Sequence, residues 1–281
     1  MVFADLHMHT KFSDGTFTPE ELASLAHEKG LRALALTDHD TVEGCAPMAT
    51  ACRERGMEFI NASELTCEAG GFEIHLLGYF LNTEHELLLK KLRESQLIRQ
   101  NRIREMTDAL NAVGIPLQSE AVFELAGCKA PGRPHVARAM VSAGFVSSVD
   151  VAFGKYLKKG KPAWVPKKKM SAEEAIDLVH QADGLAVMAH PGLNKTDDVI
   201  PGMIDAGLDG LECFHSRHSI TDIERYEALT EKHKLLATGG SDCHGMNRGK
   251  PLIGTIKLPY VYVDKMKARR AKRLADTGAA K

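Results

Sequence analysis

Apolar positions recur at helical spacing in TFTPEELASLAHEKG, where Leu22, Leu25 and Ala26 share one face. Thr18 is placed as N-cap, Pro19 opens the helix, Glu21 completes a capping box and Gly30 ends it. The continuous apolar run LRALALTDHD follows directly and reads as a buried strand. The same unit returns as SAEEAIDLVHQADG then LAVMAHPG, with Ser171 and Glu174 as the box and Gly184 as the C-cap, and again as TDIERYEALTEKHK then LLATGGSDCHG. Helix-then-strand repeats with apolar strands predict an α/β fold, a parallel sheet covered by helices and either open or closed into a barrel.

The middle of the chain breaks this rhythm. One long helical pattern runs from about 84 to 113, and 114 to 169 carries Pro, Gly and basic residues without a clear strand. Residues 82 to 168 therefore read as a mostly helical insertion, a lid, between body segments 1 to 81 and 169 to 281. Stepping about 100° per residue puts Leu88, Leu92, Arg99, Arg102, Met106, Leu110 and Val113 on one stripe, so two arginines interrupt the face that should dock on the body.

Composition narrows the class. With 281 residues, 44% apolar, the chain can bury a full core. Its formal charge of -1 means that attraction to an anion must come from local clustering. Such clustering exists between 129 and 169, where ten Lys or Arg face the single acid Asp150. Six cysteines without a CxxC pair read as reduced thiols. No basic-then-apolar leader and no long uncharged apolar run is present, so export and membrane insertion are unsupported and a cytoplasmic place is expected.

Chemistry concentrates at predicted strand ends. His7 and His9, two apart on the first strand, point the same way about 7 Å apart, close enough to converge on one cation. His39 closes LALTDHD, Glu64 closes EFINASE, His75 sits in FEIHLLGYF, His190 closes LAVMAHP, and Asp242 with His244 closes LLATGGSDCH; Asp14 follows the first strand. Parallel strands share one rim at their C-terminal ends, which gathers these residues whatever their separation in sequence. Imidazole and carboxylate without thiolate suit Mn²⁺, Fe²⁺ or Zn²⁺, with Mn²⁺ foremost, and suit Mg²⁺ or Ca²⁺ less well. Nine such residues exceed the needs of one ion, so two or three are implied. Such a site suits in-line displacement at a phosphoester, and amide hydrolysis is the competing chemistry. Asp5 either orients an imidazole through its second nitrogen or makes a strand-end hydrogen bond. Cys243 falls on the packing face, and His27, His85, His180 and His233, in helical patterns, read as surface residues.

The run DLHMHTKFSDGTFTPEELASLAHEKGLRALALTDHDT, together with SELTC, the His75 strand, MAHPG and GGSDCHG, resembles the polymerase and histidinol phosphatase (PHP) family. The resemblance implies a distorted (β/α)7 barrel with a trinuclear metal site. By position it implies His7, His9, Glu64 and Asp242 for one metal, Asp14, His39 and His244 for a second, and Glu64, His75 and His190 for a third.

Within the lid, Arg99 and Arg102 either reach a phosphate over the metals or snorkel along the barrel. Arg133 and His135, in the Pro-bracketed loop APGRPHVARAM, form a better phosphate-binding candidate, and Arg248 lies near the metal rim in sequence. Lys167, Lys168 and Lys169 read as a solvated hinge. RxxRxxxM, GRPH and ECFHSRHS resemble small stand-alone PHP phosphoesterases acting on nucleoside 3′,5′-bisphosphates or on short RNA from its 5′ end. The resemblance implies removal of the 3′-phosphate, with the scissile group at the metals, Asp14 also touching substrate, and the lid cations on the 5′-phosphate. His215 or His218 either protonates the leaving oxygen or only bonds a loop.

The expected partner is a small anionic nucleotide; short RNA is the alternative, for which the basic stretch DKMKARRAKR offers a hold. No obligatory protein partner is evident. A 5′ to 3′ exoribonuclease shares every residue above. A histidinol phosphatase would place a small amine-bearing substrate under a cationic lid, a poor match. A polymerase proofreading module would carry appended domains. A non-catalytic metal-binding regulator is the reading from a different class, which metal-dependent turnover separates.

Overall fold

The computed structural model describes residues 2–194 and 197–278; the side chains of Asn194, Arg248 and Thr277 lie outside the description. Seven strands form the wall of a barrel: β1 (Phe3–Asp5), β2 (Leu31–Leu36), β3 (Glu58–Ala69), β4 (Phe72–Tyr79), β6 (Leu185–Met188), β7 (Gly210–His215) and β8 (Leu236–Gly240). They lie in the order β8-β7-β6-β4-β3-β2-β1, and the short strands β5 (Met170–Ser171) and β9 (Leu258–Pro259) add to β3 and β1. Past β1 and β8 the two segments that follow them bond to each other, Asp242 N–H to His7 O at 2.9 Å and His9 N–H to Cys243 O at 2.8 Å, which nearly closes the ring. Gly240 permits this approach, because a Cβ there would lie 2.3 Å from the His7 nitrogen.

The sheet is not wholly parallel. β4 runs antiparallel to both β3 and β6. Only Gly70 and Gly71, both at positive φ, separate β3 from β4, and a two-residue turn of that kind makes a hairpin, whereas a parallel neighbour needs a long crossover. Elsewhere helices α1 (Pro19–Glu28), α2 (Cys45–Glu54), α7 (Ala172–Gln181) and α10 (Ile220–His233) cover the outside. Thr18 and Glu21 cap α1, and Ser171 and Glu174 cap α7, both through reciprocal boxes. At the end of α7 the left-handed position is taken by Asp183, not Gly184; Gly184 is there for room, its Cβ position lying 2.9 Å from Tyr79 O.

Inside the barrel, side chains change character with height. Along β3 the inward positions run Ile60, Ala62, Glu64, and along β4 Tyr79, Leu77, His75. An apolar floor with many alanines therefore supports a titratable mouth. Below it lies α11 (Val261–Gly278), whose Val263 and Met266 join the floor. Arg269 donates to Lys234 O, Arg270 to Asp183 O, and Lys267 pairs with Glu58 at 2.6 Å, all at the starts of strands. The basic stretch expected to hold RNA thus sits at the end opposite the histidines.

Between β4 and β5 come α3 (Glu86–Ala112), α4 (Ser119–Ala126), α5 (Arg133–Ser142), α6 (Val149–Ala152) and a π-helical turn, Phe153–Leu157. The first half of α3 packs Leu88 and Leu92 on the barrel, while Ile103, Met106 and Leu110 join Val122, Val136 and Met140 in a separate hydrophobic cluster. Val113 falls outside this face and is exposed, since the helix ends before it. His85 is not a bystander: its ring accepts the Leu88 N–H as the cap of α3. Nor is His180, whose Nε2 lies 2.8 Å from Asp209 Oδ2, whereas His27 and His233 are exposed as expected. All six cysteines are free thiols, Cys243 fully buried among apolar side chains. No described helix is long and apolar enough to cross a membrane.

Candidate metal centre

Glu64 stands at the centre of the mouth. Its Oε2 lies 3.3 Å from His7 Nε2, 3.2 Å from His9 Nε2 and 3.3 Å from His39 Nδ1, and its Oε1 lies 2.6 Å from His75 Nδ1 and 3.1 Å from His190 Nε2. Asp242 Oδ1 reaches His9 Nε2 at 3.3 Å and His244 Nδ1 at 3.3 Å, and Asp14 Oδ1 reaches His244 Nε2 at 3.2 Å. Donor atoms converge within 4.8 Å in four overlapping sets: His9, Asp14, His39 and His244; His7, Glu64 and His190; His7, His9 and Asp242; and His39, Glu64 and His75. The fold thus brings together all nine side chains singled out from sequence. His75 arrives from within the antiparallel β4 and not from a parallel strand end.

Several of these atoms have no hydrogen-bond partner among the described residues although they are buried: both ring nitrogens of His9, Nδ1 of His39 and His190, and Oδ1 of Asp14. Burying so many polar atoms without a well-formed hydrogen bond is costly, and divalent cations among them would satisfy the lone pairs that converge there. Backbone strain marks the same rim, with Asp40, His190 and Asp242 at positive φ. Burial alone would raise the carboxylates, but the His244 and His39 rings hold Asp14, and His244 with His215 and His7 hold Asp242, well below the usual range. Glu64 is likewise depressed, against burial, by His39, His75 and His7. The acids are therefore in the ionised form that a cation needs.

Glu212 was not among the sequence candidates. It projects from β7, Oε1 2.9 Å from His7 Nδ1 and Oε2 accepting the His190 N–H at 2.8 Å. A carboxylate on Nδ1 fixes the proton there and turns Nε2 toward the mouth. The available signal was a lone acid among apolar residues in the strand GLECFH, three positions before His215. Asp5 does not share this role. It accepts backbone N–H groups of Ser241 at 2.8 Å and Gly254 at 3.3 Å, and so braces loops. Asp38 holds the Asp14 loop through Thr10 and Ser13.

The cations between Arg99 and Lys169 differ in their surroundings. Arg99 is buried and bonded to the barrel, its Nε 2.6 Å from Asp40 Oδ2 and its Nη2 3.1 Å from Thr66 Oγ1, so it does not snorkel to solvent. Lys167 is no solvated hinge: only 4% exposed, it reaches the same Asp40 oxygen at 2.9 Å. Lys169 pairs with Glu68 and Glu73, while Lys168 is exposed. Arg102 and Arg133 gather beside His75. Arg133 Nη2 lies 4.0 Å from Glu73 Oε1, itself 3.9 Å from His75 Nε2. Burial, and then the neighbouring Arg133, lower Arg102 to about 10, and its Nε donates to Val165 O. His135 Nδ1 accepts the Gly132 N–H as a helix cap, and burial lowers it to about 4, so it is a neutral ring with only Nε2–H to offer. The side chain of Arg248 lies outside the described residues.

The two histidines His215, which ends β7, and His218, three residues on, have different surroundings. His215 accepts the Arg217 N–H at Nδ1, which leaves the proton on Nε2, 3.5 Å from Asp242 Oδ2. His218 is fully used, with Nδ1 donating to Cys213 O at 2.8 Å and Nε2 accepting the Gly192 N–H, so it braces a loop and has no proton to give. On the His244 side of the mouth a cleft of about 600 Å³ runs between α5 and the π-helical turn, lined by Arg138, Phe153, Lys158, Arg217, His244 and Asn247.

This barrel and its histidine-acid mouth define a metal-dependent phosphoesterase. A PHP domain model matches residues 5–112. The chain is 34% identical over 273 residues to the 3′,5′-nucleoside bisphosphate phosphatase of Chromobacterium violaceum, covering 93% of this chain and 94% of that one. It is 33% identical over 250 residues to the 5′-3′ exoribonuclease Rnm of Escherichia coli, covering 86% and 85%. A crystal structure described as a candidate metal-dependent phosphoesterase from Bifidobacterium adolescentis superposes with a TM-score of 0.88 at 30% identity, covering 95% and 96%. The chain belongs to the PHP family and is a hydrolase of phosphoric esters.

Proposed function

We propose that the protein removes the 3′-phosphate from nucleoside 3′,5′-bisphosphates, giving the nucleoside 5′-phosphate and inorganic phosphate. The observation that carries this reading is a pair of cations a step away from the donor cluster, Arg133 with Nη2 4.0 Å from Glu73 Oε1 beside His75, and Arg102 next to it; together they would form a second anion-binding locus. A substrate with two phosphates fills both places. His7, His9, Glu64 and Asp242 would hold one ion, Asp14, His39 and His244 a second, and Glu64, His75 and His190 a third, with Mn²⁺ the foremost candidate. Divalent cations, when bound, supply Lewis acidity toward a phosphate and lower the pKa of water. Arg133 and Arg102 bind and orient the 5′-phosphate, Asp14 adjoins the scissile group, and the neutral His215 ring donates an Nε2–H hydrogen bond toward the leaving 3′-oxygen. Residues 82 to 168 act as the lid over this site, and reduced cysteines fit a cytoplasmic setting.

A second reading, stepwise release of mononucleotides from 5′-phosphorylated RNA, is favoured by the open cleft past His244, whose cations and Phe153 suit a following nucleotide. Incubating the metal-loaded protein with adenosine 3′,5′-bisphosphate, adenosine 5′-phosphate and a 5′-phosphorylated trinucleotide tests both. Selective phosphate release from the first supports the phosphatase, and mononucleotide release from the third alone overturns it. Absence of turnover on all three would favour the regulator reading.

A further inference from the structure

We propose that Asp40 is a positioning residue that ties both ends of the lid to the metal-facing rim through Arg99 and Lys167. The inference rests on the bisphosphatase reading for its kinetic arm and stands apart from it in its structural arm. Asp40 follows His39, and its own N–H donates to Glu64 O at 3.0 Å, so its backbone is anchored at two of the nine clustered residues. Its side chain points the other way. Oδ2 accepts from Arg99 Nε at 2.6 Å and Lys167 Nζ at 2.9 Å, and Oδ1 accepts the Thr66 N–H at 3.1 Å. Its carbonyl accepts from Gln96 Nε2 at 3.1 Å.

Gln96 and Arg99 lie on α3, by which the chain enters the lid, and Lys167 lies where the chain returns to β5. One carboxylate thus holds both crossings. Arg99 carries the tie further: its Nη2 donates to Thr66 Oγ1 at 3.1 Å, and a Cβ on Gly132 would lie 3.4 Å from its Nη1. Its guanidinium therefore abuts the loop that opens α5 with Arg133. Two buried cations on one acid are a poor source of net stability, because desolvation offsets the attraction, but they restrict geometry sharply. A shift of about 1 Å in groups that orient a substrate can cost about a hundredfold.

The test compares wild type with Asp40→Asn, which keeps side-chain shape and tolerates the positive φ while removing the charge. KM for adenosine 3′,5′-bisphosphate should rise about tenfold or more with kcat within about threefold, whereas KM for adenosine 3′-phosphate, which lacks the group the lid would hold, stays within about twofold. Bound metal should be unchanged. Amides of 129–140 and 161–169 should exchange hydrogen about tenfold faster while those of β2 and β3 keep their protection. Equal losses on both substrates, or uniformly faster exchange, would overturn the proposal. If Asp40→Asn does not fold, Thr66→Val, which removes the hydroxyl that accepts from Arg99 Nη2 and donates to Asp40 Oδ2 at 3.4 Å, carries the same comparison at about threefold. A wild type inert toward the bisphosphate counts against the functional reading, and the exchange pattern still decides the tie.

Discussion

Replacing Glu212 by glutamine should loosen metal binding without touching any residue that offers an atom to the ion. Both carboxylate oxygens of Glu212 face donors: His7 Nδ1 at 2.9 Å and the His190 N–H at 2.8 Å. A glutamine has one acceptor oxygen and one NH₂ at the same places. If the NH₂ faces His7, Nδ1 must accept, the ring proton moves to Nε2, and the nitrogen turned toward Glu64 and Asp242 can no longer bind a cation. If the NH₂ faces His190, two donors oppose each other inside the fold at a cost of about 1–3 kcal/mol. Either route matches the roughly 10- to 100-fold loss of affinity typical when the carboxylate behind a ligand histidine is removed, about 1.4–2.7 kcal/mol. The assay is to strip the protein with chelator and titrate Mn²⁺ back while following phosphate release and bound metal. The half-saturating concentration should rise by that factor, and saturating metal should recover most of kcat. A half-saturating concentration within about twofold of wild type would show that the Glu212 contact does not set the His7 tautomer.

Arg133→Ala should lower kcat/KM for a nucleoside 3′,5′-bisphosphate by about 10- to 100-fold, the worth of a charge-assisted hydrogen bond, and leave the 3′-monophosphate nearly unaffected; equal losses would remove Arg133 from the 5′-phosphate site. His135 bears on stability against pH. Its folded value, about 4, lies below the ordinary 6.5, so as pH falls from about 6.5 to 4 the unfolded chain takes up a proton that the fold refuses. Stability should drop by roughly 3 kcal/mol across that window from this group, and His135→Gln should flatten the corresponding part of a urea-midpoint-versus-pH curve. Gly240→Ala should prevent closure of β8 on β1, since the new methyl would meet the His7 backbone, and the measurable result is loss of soluble folded protein or a melting point lowered by several degrees.

The pattern of the chain alone determined the helix-then-strand units, their capping boxes and the nine rim residues. These features are local: a box needs residues three apart, and a buried strand announces itself by an unbroken apolar run. Gathering most of the rim residues needed only the rule that parallel strand ends share a mouth; His75, inside the antiparallel β4, is the exception. Tertiary structure decided everything that depends on which side chain meets which across long sequence distances. Glu212 serves His7 from 205 residues away, and Lys167 meets Asp40 from 127 residues away. Lys167 looked solvated beside two other lysines, because a charge reads as exposed until its buried partner is known. His215 and His218 look alike in HSRH, yet backbone bonds leave a free proton on one and none on the other. The antiparallel course of β4 also had a local cue, Gly70 with Gly71, but the direction of a strand is fixed by its turn and its neighbours together. Hydrophobic periodicity reports burial and not direction, so it could place His75 in a strand without revealing how that strand reaches the mouth.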